Sequence, residues 1–121
     1  MKVEKVIKIG KLFGFYASLL TERQQEFMRL YYYHDLSLGE IAQQKSVTRQ
    51  AVYDNLKRSE YALQEYEKKL NLVKHYDKVQ SEIDNLGQVI EQIESRLELE
   101  EVESLRGILD RLQTYQKGEL M

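Results

Sequence analysis

Ser37-Leu38-Gly39-Glu40-Ile41-Ala42-Gln43-Gln44-Lys45-Ser46-Val47-Thr48-Arg49-Gln50-Ala51-Val52-Tyr53-Asp54-Asn55-Leu56 is the stretch on which the fold turns. Ser37 and Glu40 form a capping box, in which each side chain satisfies a backbone N–H at the start of a helix. Leu36 before the cap and Ile41 behind it can staple that start. The helix is short, about residues 38–45, with Leu38, Ile41 and Ala42 inward. Thr48 is the next N-cap, and Val47 can staple onto Val52. Two short-spaced starts with a large–small apolar pair at Ile41-Ala42 predict a helix-turn-helix, because the helices cross closely at the alanine. Ser46 holds the turn position that usually carries glycine, so the serine must accept a left-handed backbone or the turn differs.

Working outward, residues 4–20 read as an amphipathic helix. Val6, Ile9, Leu12, Phe13, Tyr16, Leu19 and Leu20 recur at three- and four-residue steps, opposite Lys5, Lys8 and Lys11. Gly10 and Gly14 weaken it and point to close packing of a neighbouring helix. Thr21-Glu22-Arg23-Gln24 is a second capping box, followed by Phe27, Met28, Leu30 and Tyr31 on an apolar face and ending at His34-Asp35. Tyr31-Tyr32-Tyr33 spans most of a turn, so the three rings cannot all face inward. Packing at the core or its rim is the expectation for them. Three capped starts, at Thr21, Ser37 and Thr48, mark a compact bundle of short helices.

Beyond Thr48 one helix runs on, with Val52, Leu56, Leu63, Tyr66 and Leu70 on a single stripe. The stripe changes phase near Asn71. From there Leu72, Val79, Leu86 and Ile93 form one heptad row, and Tyr76, Ile83, Ile90 and Leu97 the other. The reading is two domains: a helix-turn-helix unit over residues 1–70 and a helical arm over 71–121. A turn is expected near 98–101, then a short final helix through Val102, Leu105, Leu109 and Leu112 to about Tyr115, with Lys117–Met121 frayed. The heptads can pair within the chain or between chains. Val73 and Val89 widen the stripe and Gly87 permits close approach, and the expectation is a homodimer through residues 72–97.

Composition narrows function. The 121 residues include no cysteine, proline or tryptophan, which removes disulfides and thiolate chemistry and fits a cytoplasmic location. No apolar run is long enough for membrane insertion. His34 and His75 have no metal-ligand spacing, and no catalytic triad or phosphate-cradling loop occurs, so no enzyme activity, cofactor or metal is expected. The net charge of −2 is uneven: residues 1–70 hold 12 basic and 9 acidic side chains, residues 71–121 hold 6 and 11. Seven of nine tyrosines lie in the basic half, consistent with a polyanionic partner there. In the second helix of the motif, Val52 and Leu56 face the bundle. That leaves Arg49, Gln50, Tyr53, Asp54, Lys57 and Arg58 outward, where Arg49 and Gln50 suit base edges and Lys57 and Arg58 suit phosphates.

The stretch from Leu20-Thr21-Glu22-Arg23-Gln24 through Ser37–Ala42 to Thr48–Val52 resembles the promoter-reading C-terminal domain of bacterial sigma factors. More narrowly, the LTERQ, YYYHDLSLGEIA and SVTRQAVYDNLKRSE blocks resemble the YlxM family, strongly over residues 10–70 and in character elsewhere. The resemblance implies an all-α, winged-helix-like regulatory protein of Gram-positive-type bacteria, with DNA a better partner than RNA. It also implies a link to the signal recognition particle pathway, whose GTPase becomes a possible partner. The competing implication is a protein-interaction module for that GTPase or its RNA complex, with no DNA role. By similarity, Arg49, Gln50, Tyr53, Asn55 and Lys57 take the recognition-helix positions.

Overall fold

The computed structural model describes residues 3–118. Among these residues the chain is all helical and carries no strand, so it has no wing, and the winged-helix expectation is corrected. The order is α1 (Val3–Tyr16), a 3-10 turn (Ala17–Leu19), α2 (Glu22–Tyr32), α3 (Leu38–Lys45), α4 (Arg49–Leu70), α5 (Leu72–Ile93), a second 3-10 turn (Glu94–Arg96) and α6 (Leu99–Gly118). The chain divides between Asn71 and Leu72 into two compact units.

In the first unit, α1, α2 and α3 all pack on α4. The core is Ile9, Leu12, Phe13, Tyr16 and Leu20 from the first segment, Phe27 and Met28 from α2, Ile41 and Ala42 from α3, and Val52, Leu56 and Leu63 from α4. Each large side chain buried there contributes about 1.5–3 kcal/mol. The first helix stops earlier than its stripe implies. Tyr16 leaves helical geometry (ψ 5°), a 3-10 turn follows, and Leu20 is extended, which carries the chain into the Thr21 cap. Leu19 is consequently exposed while Leu20 is buried.

Two further expectations are corrected. A Cβ placed on Gly10 or Gly14 would meet nothing within 4 Å, so neither glycine serves close helix packing. Leu70, counted in the α4 stripe, is exposed because it lies in the last turn, beyond the reach of α1 and α2. The tyrosine run divides by geometry: Tyr32 is half-buried and hydrogen-bonded, Tyr31 sets its edge against it at 5.0 Å, and Tyr33 is exposed, edge-on to Phe13 at 5.8 Å.

Asn71 ends α4 in the left-handed region (φ 55°, ψ 30°), which Asn tolerates better than most residues. The second unit is then an antiparallel hairpin of α5 on α6. Ile83, Ile90 and Leu109 form its buried core, with Val79, Leu105 and Leu112 packed against them. Gln116 donates to the Tyr76 carbonyl at 3.1 Å and Arg106 pairs with Glu94 at 2.7 Å, which fixes the direction of the return. Of the two pairings left open by the heptads, the intrachain one is present.

The turn falls earlier than expected. α5 ends at Ile93, Leu97 is extended, and Leu99–Glu101 already form the first turn of α6. The Glu101 carboxylate accepts from the Glu98 N–H at 3.0 Å, and the acidic cluster sits at a helix N-terminus, where negative charge is favourable. The final helix is therefore 20 residues, close to the 22 of α5, and not short. It includes Lys117 and Gly118; the rest of the tail expected to fray, 119–121, lies outside the described residues. Among the described residues, no helix is long and apolar enough to cross a membrane.

Candidate nucleic-acid interface

The site begins with local backbone chemistry. The Thr21 and Ser37 capping boxes are both closed in both directions, and the Thr48 hydroxyl accepts from the Ala51 N–H at 3.0 Å. Glu40, reaching back to the Ser37 N–H, has its pKa lowered by that backbone bond and by the Ser37 side chain. Between α3 and α4, Ser46 adopts φ 56°, ψ 44°. The Val47 N–H bonds the Ala42 carbonyl at 3.0 Å and the Ser46 N–H reaches Gln43, the paired 6→1 and 5→2 bonds of a Schellman stop. The tight turn is thus made with serine in a glycine position.

That turn points the start of α4 outward. Val52 and Leu56 are buried and pin one side. On the other side Arg49, Gln50, Tyr53, Lys57 and Arg58 are all exposed. The Arg49 stem folds back over α3, with its Nε 3.8 Å from where a Cβ on Gly39 would sit. Gln50 donates to Asp54 at 2.9 Å. Lys57 Nζ lies 5.5 Å from the Tyr53 ring centre and 3.9 Å from Glu60. Asn55 differs from the other five. It is half-buried, three residues from Val52 and four from Ser59, and its Oδ1 is enclosed without a hydrogen-bond partner.

Sequence reasoning missed Glu60. Its buried carboxylate accepts from the Tyr32 hydroxyl at 2.7 Å and lies 3.2 Å from Lys5 Nζ, joining α1, α2 and α4 directly beneath Lys57. Burial and the Glu60 hydrogen bond both push the Tyr32 hydroxyl above its ordinary range. Burial works against the Lys5 ammonium, but its hydrogen bond and charge contact with Glu60 outweigh this and raise its pKa. A signal was present: the α4 stripe skips from Leu56 to Leu63, and the gap is filled by Ser59 and Glu60, both buried. Nearby, Lys45 pairs with Glu26, and Arg23 stacks over Phe27 at 5.1 Å, so neither simply extends the exposed basic side of α4.

Residues 3–102 match the family described as "Putative helix-turn-helix protein, YlxM / p13 like". Among similar proteins, a UPF0122 protein of Halalkalibacterium halodurans is 48% identical over 111 residues, covering 92% of this chain and 99% of the relative. UPF0122 proteins of Bacillus cereus and Bacillus thuringiensis are each 50% identical over 92 residues, covering 76% of this chain and 84% of theirs.

Proposed function

Because the chain belongs to the YlxM/p13-like helix-turn-helix family, we propose that it is a non-enzymatic regulatory protein of the cytoplasm that docks α4 on DNA. The observation that supports this most is the exposed set Arg49, Gln50, Tyr53, Lys57 and Arg58 on one side of a capped helix whose other side is pinned in the core. Arg49 and Gln50 stand at the entering end for base edges, and Lys57 and Arg58 further along for phosphates. DNA is favoured over RNA because the major groove of B-form DNA admits a helix and that of A-form RNA does not. Asn55 joins the site only if docking turns its side chain out of the bundle. In this reading the protein acts as a homodimer joined through residues 72–97, as two half-sites require.

A binding titration at two salt concentrations tests the reading. Lys57→Ala should weaken binding to all sequences alike and reduce the salt slope by about one unit. Arg49→Ala or Gln50→Ala should cost roughly 1–3 kcal/mol only on a preferred sequence. Absence of DNA binding at low salt refutes the proposal.

One observation favours a second reading, a protein-interaction module. Val3 and Ile7 on α1 are 72% and 65% exposed and one turn apart, an apolar step with no role in the bundle. The signal recognition particle GTPase, alone or with its RNA, is the partner to test by pull-down. Retention of the GTPase without DNA binding, lost on Ile7→Asp, would replace the DNA reading with this one.

A further inference from the structure

The hairpin leaves a second seam partly exposed. On α5, Leu72, His75, Val79, Glu82, Leu86 and Val89 follow one another at steps of three and four, the spacing of a helix-pairing stripe. α6 covers the neighbouring row, through Ile83 and Ile90, and covers Val79 only in part. Leu72 is 44%, Leu86 38% and Val89 49% exposed. A groove of about 380 Å³ with an apolar floor runs between Val79, Leu86 and Leu112, with His75, Lys78 and Glu82 at its edges. Three buried apolar side chains are few to offset the ordering of helices of 22 and 20 residues.

We infer that a second copy of this chain covers this seam, with the two α5 helices antiparallel about a two-fold axis at Val79. The inference rests on the homodimer reading above and adds its face and direction. Charge selects the direction. The turn half of the hairpin, residues 88–106, holds six acidic and two basic side chains, whereas residues 72–87 and 107–118 together hold four of each. A parallel pair would set the two acidic halves side by side. The antiparallel pair carries them to opposite ends and matches the balanced halves. It also sets Leu72 against Leu86 of the second copy, and Glu82 near His75 and Lys78 of the second copy. Every apolar member of the seam except Val89 then meets an apolar partner.

The chain contains no cysteine, so introduced thiols report position cleanly. Full-length Val79→Cys, Leu72→Cys and Leu86→Cys variants, shown to be helical by circular dichroism, are treated with a short bis-maleimide. Val79→Cys should cross-link to itself in most of the sample. Leu72→Cys and Leu86→Cys should fail alone and cross-link when mixed, because in the antiparallel pair the two copies of Leu72 stand about 21 Å apart along the axis. Efficient self-cross-linking of Leu72→Cys overturns the direction, and no cross-linking at any of the three positions in a dimeric protein overturns the face. A wild-type chain that sediments as a monomer at high concentration overturns the dimer reading itself.

Discussion

Glu60→Gln should lower stability and raise nucleic-acid affinity at once. The carboxylate accepts from Tyr32 at 2.7 Å and lies 3.2 Å from Lys5 and 3.9 Å from Lys57. Glutamine has nearly the same shape and keeps an acceptor for Tyr32, so no cavity forms and no hydroxyl is orphaned. What disappears is the charge and the second acceptor oxygen, which faces Lys5 and Lys57. A hydrogen bond to an ionised group contributes about 1.5–3 kcal/mol and a neutral one about 0.5–1.5, so the Tyr32 bond loses about 1 kcal/mol. The Lys5 and Lys57 side chains are 41% and 49% exposed, so solvent holds their two pairs to about 0.5 kcal/mol together. A total near 1.5 kcal/mol lowers the melting temperature of a unit this size by roughly 6–12 °C. Meanwhile Lys57 loses its counter-charge and is released toward solvent, so low-salt DNA binding should tighten. Thermal denaturation followed by circular dichroism and a fluorescence titration at two salt concentrations read the two effects separately. An unchanged melting temperature refutes the view that Glu60 ties three helices together. A lower melting temperature with unchanged or weaker DNA binding refutes Lys57 as a phosphate contact.

Ser46→Gly should raise the melting temperature by roughly 4–8 °C, since it relieves about 1 kcal/mol of left-handed strain while the turn's backbone bonds remain; Asn71→Gly should gain less, because Asn tolerates φ 55°. Glu40 has a lowered pKa, so its capping contribution is complete above the ordinary glutamate value and disappears as pH falls through the lower folded-state value. Glu40→Gln keeps an acceptor for the Ser37 N–H and should flatten the stability profile in that acid range, as melting temperatures measured across it would show.

The parts of the fold legible in the sequence were those written in short-range chemistry. Thr21, Ser37 and Thr48 each needed only a hydroxyl and a partner within three residues to place a helix start, and each start is where they put it. Of the two alternatives left open at Ser46, the left-handed backbone is the one present. Helix ends were less legible where periodicity alone spoke. Leu97 continues the heptad row, yet α5 stops at Ile93, because a hydrophobic repeat marks which face is buried and not where the backbone leaves the helix. Glycine was misread for a related reason: an absent side chain permits close approach but does not require it, and nothing approaches Gly10 or Gly14. At the site, the outward residues of α4 could be found by subtracting Val52 and Leu56. Glu60 showed only as a gap in the α4 stripe, because a carboxylate at a core position is explained by Tyr32 and Lys5, which arrive from distant parts of the chain.

The charge arrangement of α4 bears on how such a helix could discriminate. Gln50 is committed to Asp54, and Lys57 is shared between Tyr53 and Glu60. Docking on any duplex therefore breaks interactions before it makes new ones, and Asp54 stands among the entering residues as a like charge to phosphate. On an arbitrary sequence these losses are poorly returned, and a chain of net charge −2 attracts DNA only weakly at long range. Under the DNA reading, a base edge that takes the Gln50 amide would return the broken bond, so the Gln50–Asp54 pair would count against wrong sites. Under that reading one copy would be a weak binder. Two reading helices joined through their arms would convert the second contact into an intramolecular one, gaining affinity without adding basic charge that would bind everywhere. Under the DNA reading, an acidic arm and a sparingly basic reading helix are thus compatible: the arm supplies strength by pairing, and α4 supplies selectivity by what it must give up.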